Sequence, residues 1–130
     1  NFELKTFKNK LDGSEHYAIT KGKFDLNKPS RVRVISTNIL DSFFNFNKNI
    51  FKNSLQYLNK FNNFALILVK GTSSNASSSK NNKILRYYGV GAQIIKELKI
   101  KKMILVSRSR KRIIALKGYG IKITKQEIIK

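Results

Sequence analysis

The residues able to do chemistry are few, and their types narrow what that chemistry is. Ser107-Arg108-Ser109-Arg110-Lys111-Arg112 sets four cations and two hydroxyls in six residues, directly after the apolar stretch Met103-Ile104-Leu105-Val106. α/β units gather ligands at the carboxyl ends of strands. The run therefore reads either as a holder of a phosphorylated ligand or an RNA backbone, or as a solvated basic turn. Gly89-Val90-Gly91 at a helix start would offer bare N–H groups to an anion. The dinucleotide fingerprint fails there, because no third glycine lies three residues on. Tight packing by small residues is the better reading. His16 has only Glu15 beside it and reads as a structural or surface residue. Tyr87-Tyr88 offer stacking faces, although such side chains more often belong to a core or its edge. The seven acids form no close pair apart from capping-type positions, so a two-carboxylate hydrolytic site is not supported. With no cysteine there is no disulfide, iron–sulfur cluster or thiolate zinc site.

These residues need elements to hold them. The chain has 130 residues, 41% of them hydrophobic, enough for one domain with one core. Phe2 to Leu11 reads as a strand, Asp12-Gly13 as a hairpin turn and Glu15 to Thr20 as the return strand. Gly22 to Ser30 is turn-rich, and Arg31-Val32-Arg33-Val34-Ile35 alternates as a half-buried strand. Phe51, Leu55, Leu58 and Phe61 fall close to helical spacing over about 48–61. Phe64 to Val69 is an apolar run of strand length. The Ser/Asn-rich segment 71–82 has little to bury and reads as a flexible loop. Val90, Ile94, Ile95 and Leu98 make a helical face, Met103 to Ser107 a buried strand, Ile113 to Leu116 a short helix and Ile121 to Ile123 a last short strand. The expected class is α+β (α/β), a hairpin-rich first half followed by a helix–strand–helix–strand unit.

Lys and Arg total 27 against 7 acids, a net charge of +20. Such a field attracts nucleic acid and other polyanions. Lys, Asn and Ile, all with A/T-rich codons, supply 51 of the residues, so base composition alone would also produce the excess. No apolar run approaches membrane-spanning length, so no membrane partner is expected, and a cytoplasmic location is the default. The absence of an initiator Met suggests a trimmed or excised fragment.

Arg86-Tyr87-Tyr88-Gly89-Val90-Gly91-Ala92-Gln93-Ile94-Ile95-Lys96-Glu97-Leu98 resembles "RDYGIGAQILRDLG" of GTP cyclohydrolase II. Ile114 to Ile121 is similar to "VALEGYGLEI", Asp12 to Gly22 to "DGREHLALVKGD", and Ser30 to Ser36 to "VLVRVHS". The matches keep the family's order and cover most of the chain. The resemblance implies the family fold, a dimer, and often fusion behind an N-terminal dihydroxybutanone-phosphate synthase.

The resemblance also implies a reaction, opening of a guanine ring by hydrolysis with release of formate and pyrophosphate, which needs zinc to activate water. The family's three zinc cysteines, in "HSECLTGD…RCDCG", fall here on Asn38 and near Asn49 and Phe51. Its "RQEGRGIG" segment should follow Val69, where the Ser/Asn loop stands instead and the chain is shorter by several tens of residues. The family's D-x-R becomes Ile84-Leu85-Arg86, which keeps the arginine proposed there to attack the α-phosphate. Arg33 matches an arginine that contacts the triphosphate, and Ser107 and Arg112 match a threonine and a lysine that contact the nucleotide. The expectation is a catalytically inactive domain with no cofactor and no metal. Arg33, Arg86, Ser107 and Arg112 remain as phosphate or nucleotide contacts for GTP or another phosphorylated ligand.

Overall fold

A computed structural model describes residues 2–8, 13, 15–37, 48–70, 80–108 and 119–129. Six strands and two helices alternate: β1 (Glu3–Lys8), β2 (Glu15–Lys21), β3 (Ser30–Thr37), α1 (Lys48–Leu58), β4 (Phe64–Lys70), α2 (Lys80–Glu97), β5 (Lys102–Ser107) and β6 (Lys122–Ile128). The strands form one sheet in the order β1-β2-β4-β3-β5-β6. β1 and β2 form the expected antiparallel hairpin, with Lys8 opposite Glu15 and Gly13 at φ 71° in its turn. β2 runs antiparallel to β4, while β4, β3, β5 and β6 are mutually parallel.

Period-2 alternation assigns the faces. Val32, Ala65, Ile67, Met103 and Leu105 are buried against Ala92, Ile94, Ile95 and Leu98 of α2. Ile35, Phe64, Leu66 and Val106 are buried on the other face against Leu58, with Phe51 and Leu55 of α1 packed beside them. Each helix thus covers one face, and the central strands are apolar on both sides, as parallel strands must be.

Three elements differ from expectation. The helix after the Ser/Asn-rich segment begins at Lys80, so Lys80, Asn81 and Asn82 are helical; residues 71–79 lie outside the described residues. Gly89-Val90-Gly91 is consequently inside α2, not at its start, and its N–H groups serve the helix ladder. Packing is indeed what Gly91 serves: a Cβ there would stand 3.3 Å from Val34 Cγ1. The last strand extends through Ile128, well beyond Ile123. It is an edge strand whose exposed residues are Lys122, Thr124, Lys125 and Ile128, and its pairing is fixed by β5. The expected helix at 113–116 lies outside the described residues.

Candidate functional site

Strand order fixes where a ligand would sit. The chain passes from β3 through α1 to β4 on one side, then through α2 to β5 on the other, with the two helices on opposite faces. Connections therefore part in opposite directions at the β3/β5 seam, the topological switch point where open α/β sheets bind ligands beyond the carboxyl ends of their strands. β3, β4 and β5 end at this carboxyl edge, and so does β1, where β2 begins.

Two of the four sequence-derived candidates flank the seam. Arg33 is 5% exposed, and its Nη1 donates to the Val106 carbonyl at 3.3 Å, bridging β3 to β5. Alternation puts it on the α1 face with Ile35. Ser107 is buried at the end of β5. It shares the parity of Met103 and Leu105 and so takes the α2 face, while its carbonyl accepts the Ile129 N–H at 2.9 Å. Arg33 and Ser107 are thus neighbours along the seam but on opposite sides of the sheet. One flat ligand surface touching both side chains is not what the register builds. Arg86 belongs to the second turn of α2, whose N-terminus lies at the same carboxyl edge. Arg112 lies outside the described residues, as does the run from Ser109. Arg108, next to Ser107, is exposed. His16 is buried at 4% on β2, paired with Phe7 and in line with Ala18 and Thr20, which fits a structural role and not a surface one.

Sequence reading missed the best-formed polar cluster. Arg31 Nε and Nη2 donate to Glu127 Oε1 and Oε2 at 2.8 and 3.2 Å. Tyr57 Oη donates to Glu127 Oε1 at 2.7 Å, and Lys125 Nζ stands 3.8 Å from Oε2. The Arg31 guanidinium also lies 3.4 Å above the Phe61 ring, which meets Tyr57 edge-on. The Arg31 hydrogen bond above all holds the Glu127 carboxyl below the usual carboxylate range, and Tyr57 and Lys125 add to it against the effect of burial. Burial first, then Glu127, raises the Tyr57 phenol. This arrangement fastens the edge strand β6 to β3 and α1. An available signal was scarcity: one of only seven acids, in a chain with 27 cations, will be drawn to a guanidinium.

The residues present do not fit a thiolate zinc centre. There is no cysteine. Asn38 lies outside the described residues, Asn49 is in the first turn of α1, and Phe51 packs against the apolar cluster of Ile35, Phe64 and Leu66. Among the described residues no group of three His, Asp or Glu side chains is placed to hold a metal.

The family model of GTP cyclohydrolase II matches residues 1–61 and 51–127. The riboflavin biosynthesis protein RibBA of Aquifex aeolicus is 26% identical over 156 residues, covering 99% of this chain and 38% of that protein. The monofunctional riboflavin biosynthesis protein RIBA 2, chloroplastic, of Arabidopsis thaliana is 27% identical over 143 residues, covering 95% of this chain and 30% of its own length. The chain thus spans well under half of these relatives. The alignment of 156 exceeds the 130 residues here, so at least 26 positions are gaps facing this chain. Among solved structures, RibBX, a two domain 3,4-dihydroxy-2-butanone 4-phosphate synthase from A. baumannii, shares the fold. Its TM-score is 0.51 over 100% of this chain and 40% of that one, at 18% identity.

Proposed function

The chain belongs to the GTP cyclohydrolase II family, and from that premise we propose that it is a domain without ring-opening activity. In this reading it serves riboflavin biosynthesis as a structural or regulatory partner of a fused 3,4-dihydroxy-2-butanone 4-phosphate synthase. The observation that carries the reading is a six-stranded scaffold in a chain with no cysteine; Phe51, which the resemblance sets near a family zinc cysteine, packs against the apolar cluster of Ile35, Phe64 and Leu66. Water attack on a purine needs an activated hydroxide and a polarised ring. The described residues offer no metal cluster and no paired carboxylates to replace zinc.

Support for the partner comes from the relatives. The Aquifex and Arabidopsis proteins are riboflavin biosynthesis proteins far longer than this chain, and RibBX, which shares the fold, is a two-domain synthase. A cytoplasmic homodimer without cofactor is part of the same proposal. Arg33 and Ser107 at the β3/β5 seam, with Arg86 and Arg112, are the residues left to contact a phosphorylated ligand such as GTP.

Calorimetric titration of the chain with GTP, with and without zinc, tests this when the same samples are assayed for formate. Binding without formate supports a nucleotide-sensing domain. Neither binding nor formate leaves the structural role, which a parent synthase lacking this domain would reveal as a loss of rate, stability or assembly. Formate release overturns the proposal.

A further inference from the structure

The edge of the sheet opposite the candidate site carries a feature the proposed function does not use. β3, β4, β5 and β6 all start there, and β2 and both helices end there. The β2–β3, α1–β4 and α2–β5 turns therefore lie side by side with the start of β6. They present Lys23, Lys28, Lys60, Lys99, Lys101 and Lys122, all exposed, against Asp25 and Glu97. Asp25 is engaged locally, its Oδ1 accepting the Asn27 N–H at 2.8 Å. Lys60 and Lys99 follow helix C-termini, where the helix dipole alone favours a cation. Lys23, Lys28, Lys101 and Lys122 have no such cause, and none of the six has an ion pair among the described residues.

Two observations go beyond charge. Lys102 and Lys122 are direct register partners on β5 and β6. Like charges opposite one another weaken a sheet, so this pairing carries a cost that a bound anion would relieve. The turns are also fixed in place. Lys21 Nζ donates to Asn59 Oδ1 at 3.1 Å, and Asn63 Nδ2 donates to the Lys23 carbonyl at 2.8 Å. Gly22, at φ +75°, lets the two turns touch: a Cβ there would collide with the Asn62 carbonyl.

We infer that this edge is a docking surface for the phosphate backbone of a nucleic-acid duplex, without sequence preference. Five strand ends at about 4.8 Å spacing make a row of about 19 Å. A duplex carries one charge per ~1.7 Å of axis with both strands counted, so the row lies along a length holding roughly eleven phosphates, of which about half face it. Lysine acts as a point charge and reads no base pattern. Protein interfaces deplete lysine and centre on aromatic residues. At this edge the exposed large apolar side chains are Leu26, at 48%, and Phe2, at 46%, which leads into β1 and packs on Phe64 at the start of β4; the six lysines outnumber them.

Fluorescence anisotropy of a labelled duplex of roughly 16 base pairs, titrated with the full chain over a salt series, tests the inference. Lys28→Gln/Lys101→Gln/Lys122→Gln removes three charges from the edge. Lys5→Gln/Lys8→Gln/Lys52→Gln removes three exposed ones elsewhere. The expected result is saturable binding that the edge variant weakens at least about tenfold, with the salt slope reduced by about 2.7, near 0.9 per lost phosphate contact. The control variant should weaken it less than about threefold. Equal losses in both variants, no saturable binding, or binding of anionic phosphatidylglycerol vesicles in place of the duplex would each overturn it.

Discussion

Arg31 and Glu127 lie 96 residues apart in sequence and meet across β5 in a two-pronged ion pair, Nε to Oε1 at 2.8 Å and Nη2 to Oε2 at 3.2 Å. β5 separates their strands, so the pair locks β6 to the sheet independently of the ladder between β5 and β6. Tyr57 adds α1 to the same carboxylate. Removing the charge leaves a half-buried guanidinium without its counter-ion. Glu127→Gln should therefore lower unfolding free energy by about 1–3 kcal/mol in urea titration at pH 7.

The same pair sets an acid limit on stability. The folded-state pKa of Glu127 is depressed, chiefly by the Arg31 hydrogen bond. Its contribution is therefore present above the unfolded carboxylate pKa and fades as pH falls through the lower folded value. Wild-type stability should fall below about pH 4.5, and Glu127→Gln should flatten that decline. Parallel slopes for the two proteins between pH 5 and 3, allowing for the six other acids, would rule the pair out as its source.

Lys99 closes α2 in a left-handed conformation, φ 64°, with Ile100 N–H donating to the Ile95 carbonyl at 3.2 Å. That is the position glycine normally takes after a helix, because a Cβ there crowds the following backbone. Lys99→Gly should raise stability by about 1 kcal/mol, visible as a Tm gain of roughly 2–8 °C.

Gly91 and Val34 mark the closest approach of α2 to β3. Alanine at 91 would need Val34 to yield by a few tenths of an ångström and would gain helix propensity, so its net effect should be small. Gly91→Leu should cost about 1–3 kcal/mol through overpacking. Adding Val34→Ala should restore part of that, a favourable coupling of about 1 kcal/mol in a double-mutant cycle.

Much of the scaffold follows from local signals. Asp12-Gly13 between alternating segments marks the hairpin, and the apolar runs 64–69 and 103–107 are two interior strands, β4 and β5, that need burial on both faces. The unread parts depend on partners distant in sequence. β6 beyond Ile123 runs Thr124-Lys125-Gln126-Glu127, with no apolar alternation to mark a strand, and pairing with β5 makes it one. The first turn of α2 carries Asn81-Asn82, poor helix formers whose conformation is set by the apolar face that follows. Arg33 and Ser107 both read as ligand contacts. Only the register, with Arg33 reaching Val106, shows that consecutive residues of β5 send Val106 and Ser107 to opposite faces.

Metal dependence gives the sharpest contrast with a zinc enzyme of this fold. A structural or catalytic zinc bound by thiolates is coupled to folding, so chelation lowers the stability of the holo form. Here the sulfur donors are absent, and Phe51 packs against the apolar cluster of Ile35, Phe64 and Leu66. A millimolar chelator should leave the Tm unchanged within about 1 °C, and equimolar zinc should not raise it by the RT ln(1 + [L]/Kd) increment of a tight native-state site. A zinc-dependent rise of several degrees would require a ligand set built from His16 and the carboxylates. His16→Gln would then abolish the rise, and the metal-free reading would have to be abandoned.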